Sequence, residues 1–121
     1  MLRVDLRSVA LGDSRLNESQ FRYANLARSA LGGVWLENAD LTTADLRLAN
    51  LDHAHLAGAN LSRASLQGAS LHHADLRHAN LRGANLDGAQ FTGAQADRAT
   101  IWPEGFGPDQ RHQRGINENG T

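Results

Sequence analysis

The chain contains no cysteine and no lysine, only two prolines, and few aromatic residues, which make up 5% of its 121 positions. Each shortage excludes something. Without cysteine there is no disulfide framework, no thiolate zinc site and no sulfur nucleophile. So few rings speak against a core built on large aromatic anchors. Twelve basic residues, all arginine, face thirteen acids for a net charge of −1. That balance speaks against direct nucleic-acid binding and against a polybasic membrane anchor. Charges interrupt the N-terminal stretch MLRVDLRSVALGDSRL every few residues, unlike a signal or transit peptide. No window approaches the roughly 18 uninterrupted apolar residues of a membrane span. The expected compartment is the cytoplasm.

What the chain has in abundance is a period of five. Every fifth residue from Leu6 to Phe91 is Leu or Phe, and the series decays through Ala96, Ile101 and Phe106. Two residues before each stands a small apolar or hydroxyl residue, always Ala from Ala39 to Ala99. On an α-helix five residues advance about 500°, so successive Leu would sit roughly 140° apart and form no face. On a flat strand an odd period sends successive Leu to opposite faces. The pattern works only if the chain turns a corner once per repeat. Ala and Leu, two apart, then share the inner side of a short extended segment, and the next two residues make the bend. Six of the twelve glycines (Gly33, Gly58, Gly68, Gly83, Gly88, Gly93) fall at the second bend residue, where positive φ or crowding favours them. A chain that always bends inward closes into coils. The expected class is therefore an all-β solenoid with Leu41, Leu46, Leu51, Leu56, Leu61 and Ala44, Ala49, Ala54, Ala59, Ala64 defining its core.

Runs such as ADLTTADLRLANL, AGANLSRASLQGASL and ANLRGANLDGAQF resemble the pentapeptide-repeat family, whose units follow A-(D/N)-L-x-x. The resemblance spans about residues 4 to 101. It implies a right-handed, four-sided (quadrilateral) parallel β-helix with 20 residues per coil and about five coils. Val and Ser replace Ala in the first units, so a less regular first coil is expected. The expected organisation is a β-helix over 1–101, a capping segment over 102–108, and a polar, disordered tail over 109–121. In the capping segment two prolines and two glycines stop the repeat while Trp102 and Phe106 fold over the last coil. The N-terminal edge has no visible cap, which makes a homodimer through a terminal edge one expectation.

With 20 residues per coil, residues 20 apart stack in columns. Asp52 then lies beside His72, His53 beside His73, and His55 beside Asp75, a cluster whose residue types could ligate zinc, nickel or copper or sense pH. The alternative is a solvated ladder with no ligand, and no metal or cofactor is assigned. Trp35, Tyr23 and Leu48 take outward positions and are candidates for a contact surface. No nucleophile elbow, P-loop or HExxH occurs, and the six-residue period of solenoid acyltransferases is absent. A non-catalytic module that binds a protein partner or serves as a scaffold is the leading expectation. The alternative implied by the resemblance is a DNA-mimicking protein that binds DNA gyrase, a type II topoisomerase, as quinolone-resistance members do. The columns mix charge signs, with Arg7, Arg47 and Asp87 in one and Glu37, Arg77 and Asp97 in another. No continuous acidic face results.

Overall fold

The structure, a computed structural model, describes residues 3–118. Parallel bridges join residues 20 apart and arrange the chain in four columns. Wall I carries Asp5, Asn25, Asp45, Ser65 and Asn85, and wall II carries Ala10, Ala30, Asn50, Ser70 and Gln90. Wall III runs Arg15, Trp35, His55, Asp75, Gln95 and Asn117, and wall IV runs Gln20, Asp40, Asn60, Asn80 and Ile101. Each wall segment is a single bridged residue flanked by inward Ala and Leu, with a two-residue bend between walls. The axis is filled accordingly. From Leu26 to Phe91 every Leu-position side chain is at most 6% exposed, and Leu41 through Leu61, with Ala44 through Ala64, all lie in the core.

The corners are built from two recurring hydrogen bonds. The N–H of each Ala-position residue donates to the carbonyl of the preceding Leu, as in Ala64 to Leu61 at 3.0 Å, closing a turn whose third residue is left-handed. Every such residue has positive φ: six glycines, and twelve non-glycines at φ 59–64°, among them Tyr23, Leu48, His53 and His73. The remaining bend N–H has no backbone partner in the neighbouring coil, and the Asx residue before Leu accepts it. Asn60 Oδ1 takes the Ser62 N–H at 3.0 Å, and Asp45 Oδ1 takes the Arg47 N–H at 3.1 Å. The preference for Asp or Asn between Ala and Leu is thus an Asx turn that satisfies a backbone donor.

The first coil is not irregular in its backbone. Asp5, Ala10, Arg15 and Gln20 bridge in the common register, and Ser8, Asp13 and Glu18 take the same left-handed geometry. Only its burial is incomplete, because Leu6, Val9, Leu11, Leu16 and Phe21 have a neighbouring coil on one side alone.

The repeat ends differently from the five-residue count. One additional residue enters between Ala96 and Ile101, so that Asn80 pairs with Ile101, 21 positions on. Ala99 is therefore exposed and Ile101 lies outside at 47% exposure, while Thr100 turns inward at 7%. Thr100 Oγ1 donates to the Leu76 carbonyl at 2.9 Å, which satisfies its buried hydroxyl. Trp102, two residues on, takes the Leu position. Its ring meets Phe91 edge-on at 6.2 Å and Phe106 at 5.3 Å, closing the axis with aromatic surface.

The tail expected to be disordered from residue 109 is ordered over its described part. Helix α1, Pro108–Gln113, crosses the end, and residues 115–117 return as one more rung on wall III. Asn117 N–H donates to Ala94 O at 2.8 Å and Ala96 N–H to Asn117 O at 2.9 Å, with Ile116 buried at 6%. Two arginines clamp this cap. Arg111 lies over Trp102 at 5.6 Å and pairs with Glu118 at 3.0 Å, and Arg114 lies over Phe106 at 5.3 Å. Burying Ile116 and covering the rings supplies what a free polar tail would lack. Residues 119–121 lie outside the described residues.

Candidate functional site

Wall III and the corner between walls II and III hold the densest set of chemically distinctive side chains outside the cap. Trp35 and His55, 20 residues apart, stack with ring centroids 3.6 Å apart and planes 12° apart. Arg15, one coil further down the same column, places its guanidinium 5.7 Å from the indole. Asp75, the next residue up, turns to Arg77 instead, with Nε to Oδ1 at 2.8 Å and Nη2 to Oδ2 at 2.7 Å. Alongside, His53 and His73 stack at 5.1 Å with planes 16° apart. A shallow groove of about 630 Å³ runs between the two ladders, lined by Asp13, Trp35, His53, His55, His73, Asp75 and Arg77.

The His ladder ends at Gly93, where the His73 ring fills the space that a side chain would need. Side chains at left-handed corner positions lean over the next coil. A Cβ on Gly93 would lie 2.4 Å from His73 Nδ1, and one on Gly68 would lie 2.7 Å from Leu48 Cδ2. At Gly33, Gly58, Gly68 and Gly93 the side chain 20 residues earlier (Asp13, Asn38, Leu48, His73) occupies the space of the missing Cβ, whereas His73 follows His53 and Leu48 follows Arg28 as bulky corner residues in succession.

The six residues expected to cluster separate into distinct arrangements. Asp52 accepts the Ser70 hydroxyl and, at 3.0 Å, the His72 N–H. The His72 ring nitrogen Nε2 lies 2.9 Å from Gln90 Oε1 on wall II. His55 belongs to Trp35, Asp75 to Arg77, and His53 to His73. Among the described residues no three His, Asp or Glu side chains are grouped to hold a metal ion. The three apolar candidates divide as well. Tyr23 and Leu48 stand at the two corners flanking wall I, with Leu48 50% exposed, whereas Trp35 lies on the opposite wall.

A model of pentapeptide repeats, in eight copies, matches residues 24–63, 44–83 and 64–102. The chain belongs to the pentapeptide repeat family. Among solved structures of this family, a protein from the cyanobacterium Nostoc PCC 7120, alr5209, is 38% identical over 97% of this chain and 86% of its own, with a TM-score of 0.63. A pentapeptide repeat protein of the Arabidopsis thaliana thylakoid lumen is 27% identical over 97% of this chain and 80% of its own, with a TM-score of 0.82. Trypsin-treated QnrB1, a plasmid-mediated fluoroquinolone resistance protein, is 21% identical over 81% of this chain and 52% of its own, with a TM-score of 0.72. It shares the fold. No curated protein sequence matches. These neighbours imply that the four walls form a right-handed quadrilateral β-helix.

On this pentapeptide repeat protein the charges pair locally. Asp5 with Arg7, Asp45 with Arg47, and Asp75 with Arg77 form two-point ion pairs at 2.6–2.7 Å for the closest contact. The Arg hydrogen bonds hold all three carboxyls below the usual carboxylate range. Asp97 is also held low: burial pushes it up, but the His78 N–H and other hydrogen bonds outweigh that. Sequence inspection did not single out these pairs, although the triplet Asp-Leu-Arg recurs three times. The Trp35–His55 stack and Arg15 below it were equally accessible from the 20-residue spacing.

Proposed function

We propose that this pentapeptide repeat protein is a non-catalytic module, a rod of about five coils, that offers wall III and the adjoining II/III corner to a protein partner. The observation that supports this reading is the Arg15–Trp35–His55 ladder beside the His53–His73 stack: rigid aromatic surface, fixed by a rigid backbone, at the edge of a shallow groove. Trp and Arg are the side chains that most often dominate binding energy at protein interfaces. The groove is open along its length and suits a contact surface better than a water-excluding reaction site. The partner's identity rests with the exposed surface, since the fold alone does not specify it.

The test is comparative capture with wild-type bait against a Trp35→Ala, His53→Ala double variant whose melting curve is unchanged. A partner retained equally by both baits would defeat the wall III assignment. Binding to a type II topoisomerase is the second reading. It draws on the fold shared with QnrB1, while the locally cancelled charges oppose it, because a duplex presents two negative charges per 3.4 Å of axis. Gyrase supercoiling that is unchanged by micromolar protein, with and without a fluoroquinolone, would end it. The proposal places the protein in the cytoplasm; among the described residues no helix is long and apolar enough to cross a membrane.

A further inference from the structure

Among the described residues the N-terminal edge is open at the Ala10, Arg15 and Gln20 N–H groups, whereas the C-terminal end is closed unevenly: wall I is left open, and on wall II the Phe91 N–H has no partner. One coil below the end, wall I is fully bonded. Leu66 N–H donates to Asn85 O at 2.8 Å, Gly68 N–H to Asp87 O at 2.9 Å, and Asn85 N–H to Ala64 O at 3.0 Å. The equivalent groups one coil on are the N–H of Leu86, the N–H of Gly88 and the carbonyl of Ala84. None of the three has a hydrogen-bond partner among the described residues. Wall IV is closed by Ile101, and wall III by residues 115–117. On wall II the open Ala89 carbonyl is taken by Arg114 at 2.9 Å. Wall I stays unfilled because the chain after Trp102 crosses to α1 instead of running along it.

A groove of about 540 Å³ lies over this edge, lined by Leu86, Pro103, Phe106, Gln110 and Arg114. Arg114 forms no ion pair among the described residues. Its guanidinium meets two carbonyls, at 2.9 and 3.5 Å, and the Phe106 ring. Asp87 and Glu104 also stand along the groove, so a segment acidic throughout would be repelled.

We propose that an extended peptide segment of a partner protein docks here as the missing rung, with one carboxylate at the end nearest Gly88 and Arg114. The chain itself supplies the template: residues 115–117 add to wall III with Ile116 inward and Asn117 bridging to Gln95. A segment laid the same way along wall I gives its bridging residue's N–H to Ala84 O and accepts Leu86 N–H. Two residues on, where a further coil would present a carbonyl to Gly88 N–H, a carboxylate oxygen accepts from both Gly88 and Arg114. Strand addition provides the backbone bonds, and charge-assisted bonds to Arg114 set the preference for an acid at that position. The surface is separate from wall III, so its failure and the failure of the wall III reading are distinguishable.

The probe is the peptide acetyl-Ile-Asn-Ala-Ala, whose free C-terminal carboxylate is its single acid, titrated into the ¹⁵N-labelled 121-residue chain. The expected result is chemical-shift change and slowed exchange centred on the Leu86 and Gly88 amides, with wall III amides unmoved. The uncharged amide analogue, acetyl-Ile-Asn-Ala-Ala-NH2, should bind at least about tenfold more weakly, as should Arg114→Ala protein. A peptide N-methylated at its Asn should not bind, a readout independent of how the Arg114 variant folds. Shifts absent, shifts centred on wall III, or equal binding of charged and uncharged peptides would overturn the proposal. So would a concentration-dependent doubling of mass that moves the same two amides without peptide, which would assign the edge to a second copy.

Discussion

Replacing Gly93 by alanine tests the idea that corner residues shape the coil above them. Gly93 has φ 77°, and an added Cβ would stand 2.4 and 2.5 Å from Nδ1 and Cε1 of His73. The left-handed backbone alone costs alanine about 1–2 kcal/mol. Reduced freedom of the unfolded chain offsets about 0.4–1 kcal/mol of that. The added methyl must also push the His73 ring aside and break its stack with His53, worth about 0.5–1.5 kcal/mol. A total loss near 1.5–2 kcal/mol follows, of which the last part depends on His73 being present. Urea unfolding of wild type, Gly93→Ala, His73→Ala and the double variant isolates that part as an interaction energy. Gly105→Ala is the backbone-only control, since at φ 85° its Cβ would have nothing within 4 Å. Circular dichroism and tryptophan fluorescence should give coincident transitions before the cycle is read as two-state. If Gly93→Ala costs the same with and without His73, the corner-over-glycine account is wrong.

Three further outcomes are expected. Ala64→Leu, at a site buried to 1% exposure, should lose about 1–3 kcal/mol by forcing the walls apart, whereas substitutions at exposed Arg63 should cost less; paired melts in the reverse order contradict the inward assignment. The depressed carboxyls of Asp45 and Asp75 contribute stability that is present above the unfolded value of about 3.9 and is lost as pH falls through their folded values. Arg77→Gln should therefore flatten the acid limb of a urea-midpoint profile below about pH 4, and an unaltered limb would count against the pairing. Trp102→Ala should cost about 3 kcal/mol and speed amide exchange over residues 84–101 while residues 44–61 stay protected, as local fraying of a solenoid requires; uniform loss of protection would show that the cap is not a separate closing layer.

The inward pattern was legible because Ala and Leu two apart can share an axis only if the chain bends after each pair. The corner was partly legible: glycines marked it, but twelve other residues of nine types hold the same left-handed geometry, enforced by the coil-to-coil bonds around them. The end of the repeat was misread for a specific reason. Counting by five, Ala99 and Ile101 fit the template, yet Thr100 and Trp102 obey the same two-residue spacing one position later. Only packing against Phe91 decides between them. The tail looked featureless because a six-residue helix shows no periodicity and Ile116 is the one buried anchor among the tail's described residues. At the candidate surface, the 20-residue spacing paired the right columns without ranking the contacts within them. His55 had Trp35 on one side and Asp75 on the other. The indole took the imidazole because Asp75 has an arginine two residues away that makes two hydrogen bonds to its carboxylate.

The single additional residue before Ile101 also separates two jobs within the chain. All positions before it repeat a 20-residue rule, and all positions after it belong to the closure. Duplicating one 20-residue stretch such as residues 44–63 would therefore lift the whole closing assembly by one strand spacing, about 4.8 Å, without altering either end. Rod length becomes a quantity that gene duplication can set in fixed steps, so a lineage of such proteins can act as a graded series of molecular rulers, each holding its two ends a whole number of rungs apart.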